Sequence, residues 1–377
     1  MYPNLKQIMR LLSLSLSCPL LLIAALPDPA GAQSKPPMTF EEYEPRSTLV
    51  VPAHPKTRSK FPFIDVHGHQ PLNPSPAALD QLIREMDELN MRVMVNLSGR
   101  QGDALAAGVR TYARHPGRVV TFANLNFSGI DEAGWGDRAA AQLERDVKEG
   151  GAVGLKIFKP LGMDLKDGSG KRVPTDDARL DPVWKKAGDL GIPVLIHTAE
   201  PPAFFTPIDK YNERWLELTQ FPSRARPPEQ YPPFDSLLAE QHRVFRKHRN
   251  TRFIAAHLDW LGADLGRLGR LLDSLPNVYT EVAAVLYELG RQPRAARDFL
   301  IHYQDRVMMG KDIYEPSEYH TYFRVFETAD EYFDYYRKRH AFWKMYGLDL
   351  PDEVLKKIYY KNALKVIPGI SKAGFPQ

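Results

Sequence analysis

Five ligand-type side chains close apolar runs along this chain: His67, His69, His197, His257 and Asp312. The pair His67-Gly68-His69 follows the run Phe61-Pro-Phe-Ile-Asp-Val66. In an extended chain, residues i and i+2 point to the same side, so both imidazoles can reach one ion. Imidazole nitrogens with a carboxylate suit Zn²⁺ or a similar borderline divalent ion, and three or four such ligands plus water make a catalytic site. Taken singly, each residue has an ordinary alternative. A strand-end histidine commonly hydrogen-bonds within a loop, and Asp312 in Gly310-Lys311-Asp312 fits a helix cap. Recurrence of five such residues at four strand-like ends favours a shared metal site.

The elements that must position these residues alternate regularly. Strand-type runs fall at 62–67, 91–97, 118–125, 152–158, 192–197, 252–257, 277–282 and 306–311, with helical patterns at 78–89, 102–115, 137–149, 177–190, 235–249, 262–275 and 293–304. Such alternation implies a parallel sheet, and eight repeats predict an α/β fold of the (β/α)8 TIM barrel type. An open doubly wound sheet is the alternative, but no Gly-X-Gly-X-X-Gly turn follows the first strand. Parity supports the barrel: with His67, His197, His257 and Asp312 facing inward, branched residues such as Ile64, Val66, Val194, Ile196 and Ile254 face the helices. Catalytic groups of a barrel sit at the C-terminal ends of its strands, so the five residues converge on one mouth.

Residues 313–377 are rich in aromatics and read as a C-terminal helical extension, with a helix from Pro351 to Ile367. Residues 33–60 carry Pro36, Pro37, Pro45, Pro52 and Pro55 and read as an extended arm. Residues 1–32 have the pattern of an export signal: basic Lys6 and Arg10, an apolar stretch from Leu11 to Leu26, and Ala30-Gly31-Ala32 before Gln33. The domain reading is therefore signal 1–32, arm 33–60 and barrel 61–377, with periplasmic or extracellular placement. The single cysteine, Cys18, lies in the signal, so stability must come from an ordinary core. A formal charge of +4 without a Lys/Arg cluster excludes a nucleic-acid binder. After signal removal nothing suggests a membrane, and a homo-oligomer stays open.

The segments Ile64-Asp-Val-His-Gly-His69, Gly154-Leu-Lys-Ile-Phe158, Pro193-Val-Leu-Ile-His197, Phe253-Ile-Ala-Ala-His257 and Met309-Gly-Lys-Asp312 together resemble the amidohydrolase superfamily. The resemblance is to its amidohydrolase-related (amidohydrolase 2) branch, which includes aminocarboxymuconate-semialdehyde decarboxylase, and covers residues 60–368. It implies that His67, His69, His197 and Asp312 hold the metal. It also implies that His257 either completes the site or contacts the reacting water. In some superfamily members a lysine at the place of Lys156 is carboxylated and bridges two metals; here one ion is favoured and two stay possible. Many relatives show Ser or Thr where this chain has Lys311, which by parity points away from the barrel axis and alters packing or surface only.

The chemistry expected is hydrolysis of a small-molecule ester, lactone or amide, with Asp312 moving the proton and His257 orienting water or the developing oxyanion. Non-oxidative decarboxylation of a small carboxylic acid is the second reading, with Lys156 and Lys159 as carboxylate clamps. An exported binding protein without catalysis is the third. Substrate choice is expected to rest on the loop 198–234, where Phe204 and Phe205 can contact a ring and Arg214 an anionic group. Glu281, at the end of the seventh strand, is either a further site residue or the buried partner of Lys156.

Overall fold

The computed structural model describes residues 38–39 and 42–376. The expected export signal, 1–32, lies outside the described residues. The chain divides into two units, residues 1–48 and 49–377. In the first, Thr39 and Glu42 exchange hydrogen bonds, the Thr39 backbone N–H donating to Glu42 Oε2 at 3.0 Å. Residues 49–60 group with the barrel and are tied to it at intervals. The His54 N–H donates to Asp330 Oδ2 at 2.6 Å, and the Lys60 N–H to Glu327 Oε1 at 2.9 Å.

The second unit is a (β/α)8 barrel whose staves all pair in parallel. The strands are β1 (Phe63–Gly68), β2 (Met91–Asn96), β3 (Val119–Thr121), β4 (Ala123–Asn124), β5 (Leu155–Ile157), β6 (Val194–Ile196), β7 (Phe253–Ala255), β8 (Val278–Glu281) and β9 (Val307–Met308). β3 and β4 are one stave, interrupted at Phe122. The Phe122 ring lies over Gly154, where a Cβ would come within 2.5 Å of it, so the stave fits only because the neighbouring strand begins without a side chain. Closure joins the first and last strands: Val66 N–H donates to Met309 O at 3.0 Å and Asp312 N–H to His67 O at 2.7 Å.

Between the staves run α1 (Pro76–Leu89), α2 (Gly102–Tyr112), α3 (Trp135–Lys148), α4 (Asp181–Asp189), α5 (Phe234–Lys247), α6 (Leu265–Ser274) and α7 (Pro293–His302). Their ends obey local rules. Ser75 caps α1 by accepting from Ala78 N–H, Pro76 takes the first helical position, and Asn90 ends the helix in the left-handed conformation. Asp264 caps α6 through the Arg267 N–H. Staves such as Val194-Leu-Ile196 and Phe253-Ile-Ala255 are fully buried, as a parallel sheet covered on both faces requires.

The expected helical extension includes α8 (Pro316–Glu327), to which the sequence pattern gave no bounds. Its buried Tyr319, Tyr322, Phe323 and Phe326 recur at helical spacing, a signal that the density of aromatics obscured. Strict alternation also fails in β1, whose register against β2 shifts on both sides of Ile64-Asp65. Asp65, on the parity of His67, is reached instead by the Tyr319 hydroxyl of α8. The helix expected from Pro351 to Ile367 forms as Asp352–Lys356 and Asn362–Val366 joined by a π turn, Lys357–Lys361. That turn frees the Ile358 carbonyl, which accepts from the Met309 N–H at 2.9 Å. Asn362 Nδ2 then donates to Gln304 O and Val307 O, both at 2.7 Å.

These bonds pin the last helix to the strand that delivers Asp312. Asn362→Ala strips a buried donor from two carbonyls and is expected to cost about 1–3 kcal/mol. Thermal unfolding should show a midpoint lower by a few degrees, and an unchanged midpoint would contradict the role given to Asn362.

Candidate metal centre

β1 carries His67 one residue before its end and His69 just after it, β6 precedes His197, β7 precedes His257, and β9 leads through Gly310 and Lys311 to Asp312. One ligand atom from each of His67, His257 and Asp312 lies within 4.8 Å of the other two. His69 Nε2 is 3.5 Å from Asp312 Oδ1, and His197 Nδ1 is 3.3 Å from His257 Nε2. All five residues expected at the mouth therefore form one connected group.

Their hydrogen bonds decide which nitrogens hold lone pairs. His67 Nδ1 lies 2.9 Å from Glu281 Oε1, so it carries the proton and leaves the lone pair on Nε2, which faces Lys156 Nζ at 3.4 Å. His257 Nδ1 donates to the Ala283 carbonyl at 2.8 Å, which leaves its Nε2 as an acceptor. In the neutral rings His197 Nδ1–H then donates to His257 Nε2, and His197 Nε2 keeps a lone pair. That Nε2 is buried and has no hydrogen-bond partner. An unpartnered buried nitrogen costs free energy unless something binds it, and a cation is the partner that suits a lone pair among imidazoles. The donor set thus fits a divalent metal.

Protonation agrees with this. Burial holds His67 and His197 well below the ordinary imidazole range, so both rings stay neutral. His69 is lowered to about 4 by burial and by the Lys156 charge. Burial raises the Asp312 carboxyl, but His67, His257, His69 and Lys156 outweigh it and bring it down to about 2. Asp312 is an ionised carboxylate at neutral pH.

Glu281 supports the group from beneath. One carboxylate oxygen takes His67 Nδ1 and the His257 backbone N–H at 2.7 Å, and the other takes the Ala283 N–H. It makes no ion pair with Lys156. A Cβ on Gly310 would stand 2.5 Å from Glu281 Oε2 and 3.1 Å from His67 Cβ, so a side chain there would displace the support. Lys156 is buried in the middle of β5, with Nζ 3.4 Å from His67 Nε2, and burial pulls its ammonium down to about 7.

The mouth is also strained. His257, Leu258, Asp259 and Trp260 have φ of 59°, 52°, 56° and 54°, and Asp312 has 80°. Left-handed backbone costs a non-glycine residue about 1–2 kcal/mol, and such strain gathers at functional sites.

A family model described as Amidohydrolase matches residues 51–369. The chain belongs to the amidohydrolase family. A comparison with curated proteins gives no match. Among solved structures, this amidohydrolase is similar to a dihydroxybenzoic acid decarboxylase from Polaromonas sp. JS666 with bound manganese and the inhibitor 2-nitroresorcinol. Identity is 16% over 81% of this chain and 96% of that one, with a TM-score of 0.52. It is also similar to a 2,6-dihydroxybenzoate decarboxylase in complex with 2,6-dihydroxybenzoate, at 15% identity, 81% and 99% coverage and a TM-score of 0.50. A 5-carboxyvanillate decarboxylase from Sphingomonas paucimobilis gives 14%, 81%, 99% and 0.50. At these identities the likeness concerns the barrel fold.

Around the amidohydrolase centre, the residues expected to meet substrate fall differently. Arg214 is buried with its guanidinium on Glu217 and the Tyr287 hydroxyl, so its charge is already paired and is not presented to an anion. Phe204 is buried between Arg214 and Arg224 rather than open to a substrate ring. Phe205 is half-buried against Phe234, at 5.8 Å between centroids. Lys159 is partly exposed, with Nζ 2.6 Å from the buried Glu200, which Arg226 also contacts. Lys311 is not a surface residue. It is buried, with Nζ on Glu318 and against the rings of Tyr319 and Tyr336. Sequence reasoning overlooked Asp65, which accepts from the His67 N–H at 2.8 Å, and Ser98, 2.8 Å from His69 Nδ1. The Asp inside Ile64-Asp-Val-His-Gly-His69 was the available signal for the first.

Glu281→Gln keeps the shape but turns an NH₂ toward one of the donors it must accept. Supporting substitutions of this kind weaken metal binding by about 10–100-fold. Zinc titration against a competing chelator checks this, and unaltered affinity would show that Glu281 does not orient the ligands.

Proposed function

We propose that this amidohydrolase is an exported metal-dependent hydrolase acting on a small-molecule ester, lactone or amide. His67, His69, His197 and Asp312 would hold one divalent ion, zinc by the preference of this donor set, with His257 completing the centre or facing the reacting water. The observation that carries the reading is the convergence of His67, His257 and the ionised Asp312 within 4.8 Å at the strand ends. A divalent ion held there supplies Lewis acidity toward a water molecule and a substrate carbonyl.

The protein groups divide the remaining work. Asp312, a carboxylate at neutral pH, takes the proton from the attacking water and returns it to the leaving group. His257 fixes the water or the developing oxyanion, and its own orientation is fixed by Ala283 O and Glu281. Lys156 lies beside His67 Nε2 and places a titrating amine at the edge of the reacting zone. The basic Lys6 and Arg10, the apolar Leu11–Leu26 stretch and Ala30-Gly31-Ala32 support export. Among the described residues no helix is long and apolar enough to cross a membrane.

Lys156 also supports a second reading, non-oxidative decarboxylation, because a buried ammonium beside the ligand set suits a substrate carboxylate. That reaction needs an acid to protonate carbon. Hydrolysis is preferred because export suits a scavenging hydrolase better than a central catabolic decarboxylase, and Lys156 is kept as a contact rather than a bridge between two metals.

Asp312→Asn is expected to retain part of the metal and to lose turnover by about 10²–10⁴-fold. Wild-type turnover in that variant would remove Asp312 from proton transfer. With an active substrate in hand, ¹⁸O from labelled water should enter the product without CO₂ release; CO₂ release without ¹⁸O would favour the second reading.

A further inference from the structure

Beyond Ala255 the chain makes a full left-handed turn, His257 through Trp260, at positions where only glycine is free of strain. His257 is gripped from the mouth side by Glu281 and Ala283. Asp259 is gripped from the opposite direction. Its buried carboxylate accepts from Gln241 Nε2 on one oxygen and lies 2.6 Å from His242 Nε2 on the other. Both partners belong to α5, an element with no residue in the metal group. The same turn carries Trp260, whose ring lies 4.5 Å from that of His257 and 5.7 Å from that of His197.

We infer that Asp259 is a positioning residue: clamped by Gln241 and His242, it holds the left-handed turn that aims His257 and Trp260 at the metal ligands. The inference rests on the metal-centre reading above. A packing role alone does not call for a carboxylate here, because burying a charge costs free energy that an apolar side chain avoids. The charge is matched to two donors on a helix, and so fixes the middle of the turn to a rigid element. Released from that tie, residues 257–260 can relax toward right-handed backbone, which redirects the His257 side chain away from His67 and Asp312.

The test uses the full chain and zinc alone as the probe. Asp259→Ala keeps the left-handed penalty and loses the clamp. Zinc affinity by calorimetry should fall about 10–100-fold, as for other residues that orient ligands. Asp259→Gly loses the same clamp but takes the left-handed region freely, and should recover most of that affinity. His242→Ala, outside the turn, should reproduce the direction of the alanine effect and serves if Asp259→Ala does not fold. Folded Asp259→Ala and His242→Ala with wild-type zinc affinity would overturn the inference. So would equal losses in the alanine and glycine variants, which would give Asp259 a role other than fixing backbone. If the wild-type chain itself binds no zinc, the metal-centre reading falls and this inference with it; normal wild-type binding with unaffected variants defeats the clamp alone.

Discussion

The buried Glu281 carboxylate is the constraint on which the mouth depends. It stands at the end of β8 and accepts from the His67 ring, the His257 backbone and the Ala283 backbone. Three strand ends are thereby held by one side chain, and the His67 tautomer is set with the lone pair on Nε2. Burial raises the pKa of Glu281, and the His257 charge, the backbone donors of His257 and Ala283 and the Lys156 charge offset only part of that rise. Gly310 provides the room, and the closure bond from Asp312 N–H to His67 O brings Asp312 alongside His67. Without that support His67 is free to turn, and the lone pairs no longer meet.

The site also has to balance its charges. Asp312 is ionised, His67 and His197 are neutral, and Lys156 is an amine pulled toward neutrality by burial. A divalent cation would suit this arrangement: His197 Nε2 is a buried nitrogen without a hydrogen-bond partner, and the buried carboxylates would gain a counter-charge. Metal affinity and backbone geometry would then be two sides of one property. The left-handed backbone at 257–260 and at Asp312 is held by Glu281, Asp259 and the barrel seam, and the ligands point inward because those ties outweigh the local preference.

Much of this was legible in the sequence, for identifiable reasons. Strand-end His and Asp residues stand out because apolar period-two runs are rarely closed by ligand-type side chains four times over. The barrel follows from the alternation of runs, since a parallel sheet needs a helical crossover for each strand. Residues that act through others were harder to see. Asp65 and Ser98 are ordinary in composition, and only the fold brings them to the His67 backbone and the His69 ring. Arg214 and Phe204 misled because a loop residue with useful chemistry can be consumed by its neighbours, here Glu217, Tyr287 and Arg224. The turn at 257–260 left no trace, because left-handed backbone is signalled by glycine and none is present.

The central claim is that the barrel mouth holds one divalent ion between its first and last strands. Anomalous scattering from crystals of the zinc-loaded protein tests it most directly. The account predicts a single peak per chain, in contact with His67 and Asp312 and adjacent to His257. No peak at the mouth, or two peaks bridged by Lys156, would contradict it.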